Sequence, residues 1–119
     1  MEKLIEALEA VDFESIDIDA FYDGRDAKCF DSEWMRIYNQ LEAMKNEESY
    51  TAAKENENRK FREAAFLKIY SLTEDSELAG YVSDDFGLII DAQILGFSDP
   101  WLERFIACYA NSTIPCGEI

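Results

Sequence analysis

Residues 76–95 constrain this chain more than any other stretch. Leu78, Val82, Phe86 and Ile89 recur at steps of three or four, and Tyr81, Leu88, Ile90, Ile94 and Leu95 fill the sides between them. That spacing predicts a helix, and a helix apolar on most sides is the one around which others pack. Gly80 and Gly87 oppose it, each costing about 1 kcal/mol relative to alanine in a helix interior. Either they permit close helix contact, or Asp84 caps a second helix and the segment breaks there.

The remaining pattern supplies amphipathic partners for such a helix. Leu4, Ile5, Leu8 and Val11 share one face of a helix over residues 2–11. Asp31 or Ser32 caps a second helix carrying Trp34, Ile37, Tyr38, Leu41 and Met44, with Asn46 as its stop. Residues 47–60 are almost wholly polar, and are either the exposed first half of a long helix or a mobile connection. From Phe61 the period returns through Ala65, Ile69 and Leu72, with Phe66 and Tyr70 beside them. Gly96 closes the central helix. Asp99 caps the last one, Pro100 occupies its first turn, and Leu102, Phe105, Ile106 and Tyr109 form its buried face.

One stretch reads differently. Residues 15–21 alternate polar and apolar as a short half-buried strand would, and Tyr22-Asp23-Gly24-Arg25-Asp26 looks like a turn. With no partner strand elsewhere, 15–21 is irregular or a short helix. The expected fold is all-α: a single compact domain over residues 1–119 with about five helices. No apolar run approaches the roughly 18–20 residues needed to span a bilayer. The N-terminus carries acids where a signal peptide needs a basic start, so a cytoplasmic protein is expected.

Several chemistries have no residues to carry them. The chain has no histidine, which removes the commonest general base and zinc ligand and every histidine-dependent nucleophile. No glycine-rich phosphate loop occurs. Aligning Gly24 to the glycine of a calcium loop puts Phe21 and Phe30 at ligand positions, so that register fails. Asp84, Asp85 and Asp91 are the natural candidates for carboxylate-only catalysis, and helix capping plus a solvated face is the plainer account of them. No cofactor, no metal and no enzymatic activity are expected.

Charge points instead to a partner. The net charge is −15, and it is unevenly spread. Residues 1–49 hold 14 acids and 5 bases, residues 50–68 hold 3 and 5, and residues 69–119 hold 9 and 1. Such a field repels nucleic acid and anionic membranes and speeds the encounter with a basic protein. Between Asp12 and Trp34, carboxylates interleave with aromatic rings, as at protein-binding surfaces. The candidate partner-binding residues are Asp17, Asp19, Tyr22, Asp23, Asp26, Trp34, Asp84, Asp85 and Asp91. The plainer alternative places the rings in the core and turns the acids to water. The basic island from Lys54 to Lys68 is expected to pair with an acidic face of the same molecule.

Residues 77–116 carry a resemblance. Glu77-Leu78-Ala79-Gly80-Tyr81-Val82-Ser83-Asp84-Asp85-Phe86-Gly87-Leu88-Ile89, then Asp99-Pro100-Trp101-Leu102, Tyr109 and Ile114-Pro115-Cys116, resemble the C-terminal part of small acidic bacterial immunity proteins encoded beside polymorphic toxins. The resemblance covers about a third of the chain. It implies a cytoplasmic protein that binds a cognate toxin domain, often a nuclease, and occludes its active site. An acidic DNA mimic or regulatory interaction adaptor is the competing expectation.

Overall fold

A computed structural model describes residues 1–47 and 49–119. Six α-helices follow one another, with no strand among the described residues: α1 (Glu2–Ala7), α2 (Ile18–Asp26), α3 (Lys28–Glu47), α4 (Ala52–Thr73), α5 (Ser76–Leu95) and α6 (Pro100–Ala110). Two short 3-10 turns, Leu8–Ala10 and Phe13–Ser15, link α1 to α2. The all-α expectation holds, and no helix is long and apolar enough to cross a membrane.

The central helix is continuous. From Asp85 to Ala92 no residue of α5 is exposed, and Val82, Phe86 and Ile89 are fully buried. Each such side chain contributes about 1.5–3 kcal/mol relative to exposure. Asp84 therefore lies inside the helix and caps nothing. The capping is done by Asp75, which accepts from the amides of Glu77 and Leu78, and Gly96 closes the C-terminus at φ 68°. One core runs through all the helices, from Leu4 in α1 and Phe21 in α2 to Phe105 and Tyr109 in α6. Asp99 caps α6 as its sequence predicts, accepting from Trp101 and Leu102.

Two boundaries differ from expectation, and one open choice is resolved. Residues 15–21 are irregular and then helical, as expected, but the predicted turn at 22–26 is helical too: Asp17 caps α2 by accepting from the Ala20 amide, and the helix runs to Asp26. Gly24 misleads because it serves packing, not turning. A Cβ there would stand 3.2 Å from both the Cys116 Cβ and the Gly117 nitrogen, and the Gly117 amide donates to the Gly24 carbonyl at 3.1 Å. Second, α3 starts at Lys28, before Asp31 and Ser32, so that Phe30 enters the core from its first turn. The polar 47–60 run takes the first of its two expected forms: α4 begins at Ala52 behind a Thr51 cap, and most of the run is the outer half of a long helix. Glu48, within that run, lies outside the described residues.

Candidate functional site

Helix α5 presents three aspartates in three settings. Asp85 is completely buried. Arg25 of α2 grips it with two nitrogens at 2.6 Å each, Tyr109 donates at 2.5 Å and the Trp34 indole at 3.0 Å. The Arg25 guanidinium also donates to the Pro115 carbonyl and lies over the Phe30 ring at 4.4 Å. Burial disfavours the charged Arg25, yet the adjacent Asp85 outweighs it and raises the Arg25 pKa. Burial, and then Asp85, push the Tyr109 phenol well above its ordinary range. This centre ties α2, α3, α5, α6 and the C-terminal segment together. The Asp85 carboxylate has no open side for a partner.

Asp91 lies at the base of a cleft of about 700 Å³ between α3, α4 and α5. One oxygen accepts from the Tyr50 hydroxyl and from Asn58 at 2.9 Å; the other meets Lys45 at 2.7 Å. Lys45 also bonds Glu42 at 2.9 Å and rides over the Tyr50 ring. Burial opposes the Lys45 charge, but its hydrogen bonds to Asp91 and Glu42 prevail and its pKa rises. Trp34 and Tyr38 stack at 5.7 Å on the α3 wall of the cleft.

Asp84 stands in the same cleft lining but is exposed. Its carboxyl sits above the ordinary value of 3.8, first through partial desolvation and second through the charge of Asp85, with Arg62 and Arg25 opposing. The seven-residue spacing of Asp84 and Asp91 does place both on one stripe of a continuous helix.

The second group of candidates gathers along α2. Asp19, Asp23 and Asp26 are exposed and follow at i, i+4 and i+7, one face of the helix. Asp17, exposed, precedes them as the cap. Tyr22 is half-buried against Phe21 and Tyr81, its ring centroid 5.4 Å from that of Tyr81. Burial, with Asp75 and Glu77 nearby, pushes its hydroxyl up to about 12. Tyr81 is raised by burial and by Asp26 and Glu77. The result is an acidic edge with two tyrosines at its centre. Among the described residues no three carboxylates or thiols converge as metal ligands would.

The family described as Immunity protein PIM1 matches residues 2–116. The chain belongs to the PIM1 immunity protein family. No curated protein matches the chain. Membership covers nearly the full length, well beyond the C-terminal third that carries the resemblance, and assigns a toxin-neutralising role with a cognate toxin as partner.

In this PIM1 immunity protein, sequence reasoning passed over Arg25, Lys45, Tyr50, Asn58, Arg62 and Tyr81. Asn58 and Arg62, four apart on α4, were the readable signal, because a polar pair at that spacing shares a face. The basic island does not pair as a unit. Among the described ion pairs only Lys68 of the five meets an acid, Glu9 at 2.5 Å. Lys54 donates to the Ser49 carbonyl and Arg62 to Asn58.

Proposed function

We propose that this immunity protein acts by binding alone, as one domain over residues 1–119 in the cytoplasm of a bacterium, and that it covers the active site of a basic toxin domain such as a nuclease. The observation that carries the reading is the acidic edge of α2. Asp19, Asp23 and Asp26 project from one helical face beside Tyr22 and Tyr81, so charge for steering surrounds aromatic surface for contact. Asp17 stands at the start of this edge, and Asp84 and the Trp34–Tyr38 pair line the cleft between α3, α4 and α5. Asp85 and Asp91 serve it from behind. The first holds α2 and Trp34 in place, and the second holds the cleft base. Neither nucleic acid nor a membrane surface suits a face of this sign.

The test is co-production with the toxin domain of the neighbouring gene, followed by titration of the separated partners. A one-to-one complex that restores growth is expected. Its association rate should fall with ionic strength, and by about tenfold or more at low salt in an Asp23→Lys, Asp26→Lys variant. Full rescue by that double variant, with unchanged association, would remove the acidic edge from the interface. Inhibition of several unrelated DNA-binding proteins would favour the DNA-mimic adaptor instead.

A further inference from the structure

One cation on the rim of the cleft has no assigned partner. Arg62 lines both the α3–α4–α5 cleft and a second hollow on its far side, formed with Arg59, Glu63, Phe66, Leu67 and Ser83. Its Nε donates to the Asn58 oxygen at 2.6 Å. Asn58 is more than nine-tenths buried and is itself fixed by Asp91 at 2.9 Å and the Gly87 carbonyl at 3.1 Å. The Arg62 stem lies across α5 where Gly87 leaves room; a Cβ there would stand 2.7 Å from the Arg62 Cδ and 3.1 Å from its Cγ. Ser83 donates to the Arg62 carbonyl at 2.9 Å and holds the backbone too. Gly87, costly inside a helix, is therefore explained as the seat of this arginine.

The end of the side chain is unused. None of the ion pairs among the described residues includes Arg62, and its two Nη groups donate to no described residue. A guanidinium fork held in a fixed orientation with its outer donors open suits a carboxylate, which it binds through two parallel hydrogen bonds. Pre-orientation removes part of the entropy cost that a mobile surface arginine meets on binding. Beside it α4 exposes apolar surface that no described element covers. Leu67 is 66% exposed and Tyr70 45%, and the Phe66 and Tyr70 rings stack within 7° of parallel. Phe66 and Leu67 lie within residues 50–68, where bases outnumber acids, 5 to 3, in a chain of net charge −15.

We propose that Arg62 is a fixed anchor for a carboxylate side chain of the toxin, whose apolar neighbour seats on Phe66 and Leu67. Gly87 and Asn58 are positioning residues for it. The interface is then bipolar. The α2 edge takes the toxin's basic surface and the α4 ridge takes an acidic element, which fixes a single orientation of the complex. Asp84 and Glu63 are the like charges an incoming carboxylate meets, and Arg59 is a second cation in the Glu63 lining. This inference rests on the immunity reading above.

The experiment compares Arg62→Ala, Gly87→Ala, their combination and the Asp23→Lys, Asp26→Lys variant, each titrated with the same toxin domain, with thermal unfolding recorded for every variant. Loss of the anchor should weaken the complex about 10- to 100-fold. Gly87→Ala, which pushes the arginine aside, should weaken it by a similar factor when folded. The combination should be no worse than Arg62→Ala alone, since a displaced anchor that is already gone has no further effect. An Arg62→Ala chain that binds within about twofold of the parent, while the α2 variant is impaired, overturns the anchor and leaves the immunity reading standing. A parent chain that does not bind the toxin overturns both. If Gly87→Ala proves unstable, Asn58→Ala replaces it as the positioning variant, and additive losses there would reduce Arg62 to an ordinary surface charge.

Discussion

Asp85 and Asp91 belong to one helix, are both buried, and both face a cation, yet they stand in opposite kinds of surroundings. At about 100° per residue, six residues place the two carboxylates about 120° apart around α5. Asp85 turns toward α2, α6 and the Trp34 turn of α3, where Arg25, Tyr109 and Trp34 close on it and leave it no exposed surface. Asp91 turns toward α3 and α4, where Lys45, Tyr50 and Asn58 meet it at the base of an open cleft. The first centre makes the fold a single object. The second shapes a surface, and through Asn58 it orients Arg62. A buried acid in a binding protein is thus not one kind of feature, and water access decides which kind it is.

The sharpest way to break that contrast is to truncate the closed centre. Asp85→Ala strands a buried Arg25 with only the Pro115 carbonyl and aromatic faces for company. Breaking such a pair costs about 3–5 kcal/mol, a large share of the roughly 5–15 kcal/mol that holds a domain together. Denaturant unfolding should show a chain barely folded or unfolded. Asp91→Ala should cost less, about 1–3 kcal/mol, because Lys45 keeps Glu42 and the cleft admits water to Asn58 and Tyr50. Equal losses from the two substitutions would mean that the cleft is as dry as the core and that the contrast is false.

The same two centres mark what the chain's text discloses. The apolar period of 76–95, the Asp99 cap and the closing Gly96 act within a turn or two of themselves, so most of α5 and α6 reads directly, while the Asp75 cap of α5 went unread. The stripe that aligns Asp84 with Asp91 was legible for the same reason. Gly24 was not, because its meaning is set by the distant Cys116, and Gly87 was legible as a site of close helix contact but not as the seat of Arg62. Nor could adjacent Asp84 and Asp85 be ranked, since one step of helix rotation sends one to solvent and the other into the core. The α2 carboxylates were found as a group, but their arrangement as one helical face depended on a glycine that imitates a turn. Whether a charge is exposed is decided by partners 50 or 60 positions away, as the Trp34 and Arg25 bonds to Asp85 illustrate.

The smallest effect tests the boundary between the two centres, where Asp84 sits. Partial desolvation and the Asp85 charge raise its pKa above the ordinary 3.8, against the pull of Arg62 and Arg25. A carboxyl whose folded pKa is raised favours folding in its protonated form. That contribution is complete below 3.8 and is lost as pH climbs through the raised folded value. Asp84→Asn removes the titration, so parent and variant should have the same acid-side stability. The variant should then gain relative to the parent as pH rises toward neutrality. The gain should stay below about 1 kcal/mol, because the residue is exposed and solvent screens it. Paired denaturant melts across that range measure it. The opposite trend, with the parent gaining on the variant, would mean that Arg62 holds Asp84 in an ion pair. Arg62 would then have its carboxylate within the chain, and the α4 ridge would lose its anchor for a partner.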